Sequence, residues 1–347
     1  MKDELLGLRP DDFSRRVQAF MERRGEPAYR IDQLRDWVFK SKARRFEEAT
    51  TLSTPLRAEL AEHFSLTPLE PTHVARSADG TVKHLWGLED GEQIESVLIP
   101  TSGRLTLCLS SQAGCALGCL FCATGHFGFR RQLRPGEIVA QYREASRFAQ
   151  AEWGRPVSHV VYMGMGEPLA NLNAVHTSLD VLHEGFGVGS RRITVSTVGL
   201  VPGIRELARR PEQFGLAVSL HSPDHELRAR LMPVEERYPL PVLFEALREY
   251  ARVRGRRITF EYTLIDGVND HPELARQLAD LVRGLSCFVN LIPLNPIPFV
   301  DWQPSPPHRV AAFAGRLRKD GVETAVRTPR GRDIAAACGQ LRLSAGS

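Results

Sequence analysis

An α/β fold is predicted for this chain of 347 residues: a partial (β/α)6 barrel with a small helical N-terminal domain and a connecting β-hairpin sheet. Three patterns predict it. After Arg104, apolar strand-like runs alternate with amphipathic helical segments. Between 72 and 100, short alternating segments are punctuated by turn dipeptides. Between 10 and 65, apolar residues recur at helical spacing.

In residues 1–70, Phe13, Val17 and Phe20, then Ile31, Leu34 and Val38, stand three and four apart, which puts each set on one face of a helix. From 71 to 100, Asp79-Gly80 and Asp90-Gly91 supply residues that tolerate the positive φ of tight hairpin turns, so antiparallel strands are expected to link the helical unit to the main body, 101–347. In that body strands are expected near 104–110, 157–163, 192–197, 214–220, 258–264 and 287–292. Strands alternating with helices make a parallel sheet buried on both faces. Six units are too few to close an eight-stranded barrel, and periodicity alone also permits an open doubly wound sheet. A helix opens at Pro135, since proline suits the first helical position, with Ile138, Val139, Tyr142 and Ala145 on its apolar face. The proline-rich run Pro293 to Pro307 reads as a long loop, a kind of segment that is usually functional or mobile. In either architecture ligands gather at the carboxyl ends of the strands.

Composition narrows the function classes. Hydrophobic content of 42% and charged content of 25% are ordinary for a globular protein. No apolar run approaches the roughly 20 residues of a membrane helix, so a soluble, cytoplasmic protein without a membrane partner is expected. The net charge of +4 does not by itself establish a nucleic-acid partner. Lysine occurs five times and arginine supplies the other 40 basic residues, a bias that a GC-rich genome would also produce. Basic runs at 126–134, 252–257 and 327–332 read as solvated surface unless chemistry lies beside them.

Chemistry enters with Cys115-Ala-Leu-Gly-Cys119-Leu-Phe-Cys122. Iron–sulfur clusters are held by cysteine thiolates, normally four, so a compact trio without a fourth nearby cysteine reads as a cage for a four-iron, four-sulfur cluster with one iron left open. A rival reading adds His126 to make a closed Cys3His zinc site. A disulfide framework is the weaker alternative, because a chain of this length buries its own core and shows no secretory signal. At the expected strand ends stand Gly164-Met165-Gly166-Glu167-Pro168, Ser196, Ser219-Leu220-His221 and Asn295. Glycines let a backbone approach a ligand closely. The carboxylate, hydroxyl, imidazole and amide groups can hydrogen-bond an ammonium, a ribose, a carboxylate or an adenine edge.

The cysteine spacing, with Phe121 before Cys122, resembles that of the radical SAM superfamily, in which S-adenosylmethionine chelates the open iron through its amine and carboxylate. The segments Thr106-Leu-Cys108-Leu-Ser-Ser-Gln-Ala-Gly-Cys115, Met163 to Leu169, Val195-Ser-Thr197, Ser219-Leu-His221, Asn290 to Pro296 and Ala336-Ala-Cys338-Gly-Gln-Leu341 look like the radical SAM methyltransferases that methylate carbon 2 of adenosine in 23S ribosomal RNA and in tRNA. Gly25 to Arg30 and Ser77-Ala-Asp-Gly-Thr-Val-Lys83 fit as well. Departures lie at Pro298 to His308 and at Arg327 to Asp333.

The resemblance implies a radical SAM partial barrel, one four-iron cluster on Cys115, Cys119 and Cys122, and two S-adenosylmethionine molecules per turnover. Gly166, Glu167, Ser196, Ser219, Leu220, His221 and Asn295 are the implied cofactor contacts. Cys338 becomes a methyl carrier, Cys108 its partner in a transient disulfide and Glu95 a general base. Cys287 has no counterpart and reads as core. In the implied chemistry the Cys338 thiolate displaces a methyl group from one S-adenosylmethionine. A 5′-deoxyadenosyl radical from a second takes a hydrogen from S-methyl-Cys338, and the methylene radical adds to the adenine. Proton removal by Glu95 and attack of Cys108 on the Cys338 sulfur then release the product, leaving a disulfide for reduction. The substrates implied are unstacked adenosines of 23S rRNA and tRNA. The other partners are a flavodoxin-like reductant for the cluster and a reductant for the Cys108–Cys338 disulfide, and the protein is expected to be a monomer. Methylation at carbon 8 of the same rRNA adenosine and zinc-dependent RNA binding without catalysis are the alternatives.

Overall fold

Residues 2–341 are described by the computed structural model. Helix α1, Pro10–Arg23, buries Phe13, Val17, Phe20 and Met21, the face that the three-and-four spacing dictates. Helix α2, Tyr29–Arg35, continues through a wider turn, Asp36–Lys40, in which Val38 and Phe39 are buried. Helix α3, Thr54–His63, begins where the Ser53 hydroxyl accepts from the Leu56 N–H, satisfying one of the N–H groups a helix start leaves free. A short parallel pairing of Asp3–Glu4 with Phe64–Ser65 closes this unit on itself.

The hairpin strands are β1, Glu70–Arg76, β2, Val82–Gly87, and β3, Gln93–Thr101. They continue directly into the parallel strands: β4, Arg104–Cys108, β5, His159–Tyr162, β6, Ile193–Thr197, β7, Gly215–Ser219, β8, Ile258–Leu264, β9, Cys287–Pro293, and β10, Thr324–Val326. One ten-stranded sheet results, with every strand beside its sequence neighbours. Pairing is antiparallel from β1 to β4 and parallel from β4 to β10. Strictly sequential order is the partial-barrel arrangement; a doubly wound sheet would reverse direction at a switch point. The end strands β1 and β10 do not pair, so the barrel is open.

All six expected parallel strands form. A seventh, β10, joins them without a pattern to announce it. It has three residues with mixed burial, too few to show a period, and its place comes from pairing Val289, Asn290 and Leu291 of β9 with Thr324, Ala325 and Val326.

Alternation along the strands decides which side chains reach the concave face. In β8, Ile258, Phe260, Tyr262 and Leu264 are fully buried. Phe260 stacks on Phe244 at 5.6 Å and Tyr262 meets Phe313 at 5.1 Å. Phe244 lies on the helix Leu240–Arg254 of the outer layer. Residues Glu261 and Thr263 of β8 face the other way, into the central cleft. Burying such a Phe side chain contributes about 1.5–3 kcal/mol, and a one-residue register slip would exchange the two sets.

Helix α4, Pro135–Trp153, follows the cysteine loop, starts at its proline as expected and ends where Gly154 takes a positive φ of 64°. It also fastens the N-terminal unit. Arg143, fully buried, donates to the Leu66 carbonyl at 2.5 Å and the Thr67 carbonyl at 2.9 Å and pairs with Glu144 at 2.7 Å. Rings of Phe13, Phe39, Phe186 and Tyr142 run from that unit into the main body at centroid spacings of 5.2, 5.3 and 5.2 Å. After β9 no regular element occurs until a helix opens at Pro307, the loop expected from its prolines. Cys287, read as core, is half-buried at the start of β9 and packs against the edge of the core. No described helix is long and apolar enough to cross a membrane.

Candidate functional site

The loop that carries the cysteine trio leaves the carboxyl end of β4. Gln112–Gly114 pairs antiparallel with Phe129–Gln132, and the Cys115 N–H donates to the Gly128 carbonyl at 3.0 Å, so residues 115–128 form a closed loop with fixed ends. Beneath it Cys119 packs with Leu231, Met232, Val234, Ile265 and Leu294, and the Leu120 N–H donates to the Leu231 carbonyl at 3.1 Å. Cys115, Cys119 and Cys122 all line one cleft at the carboxyl ends of the parallel strands. The cleft holds a cavity of about 160 Å³ and opens to solvent at its mouth, a concave setting of the kind that small-molecule sites use.

A zinc ion 2.3 Å from each thiolate in a tetrahedral site needs sulfurs about 3.8 Å apart. Among the described residues the one set of three potential ligands whose atoms all lie within 4.8 Å of one another is Asp180, Glu184 and Glu212, so the three thiols do not all meet that spacing. His126 does not join them. Its Nε2 lies 3.0 Å from the Leu120 carbonyl, and its ring stacks on Phe299 at 4.7 Å. Burial pushes all three thiols up, Cys115 to about 11, so thiolates become favourable here only beside concentrated positive charge. Three soft sulfur donors in an enclosed cleft therefore fit an iron–sulfur cluster.

Facing the trio, Gly164-Met165-Gly166 follows β5. The Met165 N–H donates to Ser110 Oγ at 2.8 Å, the Ser111 N–H to the Met165 carbonyl at 2.9 Å and the Glu167 N–H to Gln112 Oε1 at 2.8 Å. This contact is too close for side chains. A Cβ on Gly164 would stand 2.7 Å from the Leu109 backbone, and one on Gly166, where φ is 93°, would stand 2.4 Å from Gln112 Cβ. We predict that Gly166→Ala lowers stability by about 1–3 kcal/mol and empties the cluster site. The checks are urea unfolding of the apoprotein and iron content per chain.

Glu167 is buried, accepting from the Leu169 N–H at 3.0 Å and the Val198 N–H at 2.9 Å. Burial outweighs those bonds and pushes its carboxyl up to about 7. His221 adopts a φ of 57°, uncommon for a non-glycine residue. Its Nδ1 accepts from the Thr263 N–H at 2.9 Å, which leaves the ring proton on Nε2. Burial, with Arg228 nearby, pushes it down to about 3, so a neutral imidazole faces the cleft. Gly166, Glu167, Ser196, Ser219, His221 and Asn295 line the same space. Leu220 does not. Its side chain is fully buried, its N–H donates to the Glu261 carbonyl at 3.0 Å and its carbonyl accepts from Arg228 at 3.1 Å.

Cys338 reaches the cleft from the far end of the chain. Its residue is solvent-accessible because it faces that space, yet the enclosing walls, Glu261 foremost among the charges, still push its thiol up. Its carbonyl accepts from Asn295 Nδ2 at 3.0 Å. Cys108 is buried behind the wall, its thiol hydrogen-bonded by backbone at Met163 and raised by burial and by Cys338, which makes the two cysteines electrostatic neighbours. Glu95 is fully buried rather than solvent-facing, pairs with Lys83 at 2.9 Å and is not among the cleft-lining residues. Register nevertheless aligns Lys83, Val97, Cys108 and Val161 in one row across the sheet, and Glu95, two residues from Val97, shares their face.

Two participants escape sequence reasoning. Glu261 reaches the cleft from mid-strand, accepting from Asn290 at 2.9 Å with Arg327 3.9 Å away; the apolar/polar alternation of β8 is the available signal. Arg228 is buried beneath the strand ends, and no local pattern in its helix marks it.

Comparisons with known proteins agree with this geometry. Residues 109–279 match the radical SAM superfamily, and residues 4–66 match the ribosomal RNA large subunit methyltransferase N-terminal domain. The chain is 49% identical to a protein of Gemmatimonas aurantiaca over 98% of its own length and 93% of the relative's. It is 45% identical to one of Moorella thermoacetica, covering 98% and 97%. Both are described as probable dual-specificity RNA methyltransferase RlmN. A crystal structure of a radical SAM methyltransferase from Sphaerobacter thermophilus superimposes with a TM-score of 0.93 at 47% identity, covering 98% of this chain and 99% of that one.

Proposed function

The chain belongs to the dual-specificity RNA methyltransferase RlmN family of the radical SAM superfamily, and on that premise we propose that it methylates carbon 2 of adenosine in 23S rRNA and in tRNA. The observation that carries the reading is the shared cleft: Cys338, from the chain's far end, stands with the trio Cys115, Cys119 and Cys122. A thiol there has no use as a fourth structural ligand if one iron is to stay open. It does serve as a carrier for a carbon centre that is too electron-poor to attack a sulfonium methyl group itself.

Bound in the cleft, the cluster and S-adenosylmethionine supply a radical able to take a hydrogen atom from an S-methyl group. The residues do the rest. Cys115, Cys119 and Cys122 are the residues that would hold the cluster. Gly166 and Glu167 receive the amine, while Ser196, Ser219, the His221 Nε2–H and Asn295 offer hydrogen bonds to the carboxylate, ribose and base. Leu220 contributes through the backbone that positions Ser219 and His221. Cys338 accepts a methyl group on Sγ as its thiol proton leaves. Two S-adenosylmethionine molecules are consumed per turnover, one as methyl donor and one as radical source. Once the methylene carbon on Cys338 is joined to adenine, the adduct would have to give up one electron, for which the cluster would be the acceptor, before Glu95 takes the proton from the base. The Cys108 thiolate then attacks Cys338 Sγ, the S–S bond forms as the S–C bond breaks, the departing carbon keeps that electron pair and takes up a proton to become the methyl group, and two electrons with two protons from an external reductant restore both thiols.

In this reading residues 1–70 are an RNA-binding accessory domain, 71–100 a connector and 101–347 the catalytic body. The protein works as a monomer in a reducing compartment with a flavodoxin-like donor. Incubation of anaerobically purified protein with 23S rRNA fragments and tRNA, followed by nucleoside mass spectrometry, tests the position. We expect 2-methyladenosine from both substrates; 8-methyladenosine would replace the carbon 2 assignment. The same preparation should be brown, with about four irons and four sulfides per chain. A colourless protein holding one zinc would overturn the reading.

A further inference from the structure

Cys338 lies on a strap, residues 330–341, that crosses the cleft without a regular sheet or long helix to hold it. Its far end is fastened to the site. The Ala123 N–H donates to the Gly339 carbonyl at 2.7 Å, Thr124 Oγ1 to the Leu341 carbonyl at 2.8 Å and Asn295 to Cys338 as above. The near end meets a segment to which the chemistry gives no task, the hairpin turn Ser77-Ala-Asp-Gly-Thr-Val-Lys83. Ser77 Oγ donates to Asp333 Oδ1 at 2.6 Å and the Ala78 N–H to Asp333 Oδ2 at 3.1 Å. In return the Gly331 N–H donates to Asp79 Oδ2 at 3.0 Å, while Asp79 Oδ1 accepts from the Thr81 N–H at 2.9 Å and so braces the turn itself. Lys83 Nζ, while paired with Glu95, lies 3.4 Å from the Ala335 carbonyl.

The strap needs this fastening. Ala335 holds a φ of 49°, a conformation that a Cβ disfavours, so the bend before Cys338 is not one the local chain prefers. Contact is also close. A Cβ on Gly331 would stand 2.9 Å from Thr81 Cγ2, leaving no room for the strap to settle nearer the turn.

We propose that the turn Ser77–Lys83 is a clamp that sets the position of Cys338, with Ser77, Asp79, Lys83 and Asp333 as positioning residues. The inference rests on Cys338 being the methyl carrier. It gives the hairpin a role in the reaction: the turn holds the near end of the strap, while Arg332, bonded to Asn295 Oδ1 at 2.7 Å and the Leu294 carbonyl at 2.9 Å, and the contacts at Cys338, Gly339 and Leu341 hold the rest of it to the barrel and the cluster loop. Carboxylates receiving N–H and O–H donors are strong fasteners, and hydrogen bonding holds Asp79 down to about 2 against its burial. Asp333 is likewise held below its usual value by Ser77 and Ala78. Both stay ionised, and the clamp closed, at neutral pH.

Alkylation of Cys338 in the full-length, cluster-loaded chain tests this, read by mass spectrometry of its peptide after timed exposure to iodoacetamide. Asp333→Asn and the milder Ser77→Ala should each raise the rate about tenfold, the effect of one lost charge-assisted hydrogen bond. A freed strap lets the thiol swing away from the cleft walls and meet the reagent more often. Both should lower kcat for methylation with the KM for S-adenosylmethionine and the iron content unchanged, and Ser77→Thr, which keeps the hydroxyl, should restore both rates relative to Ser77→Ala. Unchanged alkylation in a folded Ser77→Ala or Asp333→Asn protein overturns the clamp. Faster alkylation with undiminished kcat overturns its part in the reaction. Wild-type methylation by Cys338→Ala would instead remove the carrier reading, an outcome that the alkylation data do not imitate.

Discussion

Cys338→Ala is expected to reduce methylation by roughly 10⁴-fold or more, the scale seen when a covalent catalyst is removed, while cluster colour and iron content stay at wild-type values. The separation follows from geometry. Cys338 lines the cleft but belongs to the C-terminal strap, whereas Cys115, Cys119 and Cys122 are held by the loop after β4. Cys108→Ala should behave differently. Cys108 sits behind the cleft wall, close enough to Cys338 for their charges to interact, and its proposed task comes after the adenine is attached. Its loss should let the protein–RNA adduct accumulate, seen as a band shift on a denaturing gel that nuclease reverses. Full turnover by Cys338→Ala, or absence of the adduct with Cys108→Ala, would show that the two thiols do not share one covalent path.

Arg228→Met is expected to cost about 3–5 kcal/mol, because removing one partner of a buried ion pair strands the other charge. Arg228 and Glu235 are both fully buried and paired. Glu235 also accepts from the Leu240 N–H at 2.8 Å and from His225 Nδ1 at 2.7 Å. Arg228 in turn donates to the Leu220 carbonyl at 3.1 Å and the Val198 carbonyl at 2.7 Å. It ties together the segments that follow β6 and β7, which present Ser196, Ser219 and His221. The loss is to be measured as a shift in the urea midpoint at unchanged slope. Adding Glu235→Leu should recover part of it by removing the stranded charge, with the Leu220 and Val198 carbonyls still short of a donor. Additive losses in the double variant would show that the pair is not coupled.

How much of this is legible in the sequence depends on distance along the chain. The faces of α1 and α4 and the six longer parallel strands follow from periods of 3.6 and 2 within a few residues. The cysteine trio is legible because its ligands lie within eight positions. Family resemblance then assigns Cys108, Cys338 and the strand-end contacts. By contrast β10 is too short for a period. Leu220 stands between two cleft residues yet points into the core, as alternation at a strand end requires. Glu95 has a strand pattern that does not reveal whether its carboxylate meets a buried Lys83 on the diagonal or solvent.

The sequence by itself determined the alternating α/β architecture, the compact cysteine trio and the glycines that the strand-end loop requires, since each rests on the stereochemistry of neighbouring residues. Only the tertiary structure decided that His126 is engaged by the Leu120 carbonyl and the Phe299 ring, that Glu261 shares the cleft with Cys338 and Arg327, and that Asp333 is held by Ser77, 256 positions away. Those contacts arise where distant strands and loops close on each other. Their partners are chosen by sheet register and packing, for which no local spacing stands as a sign.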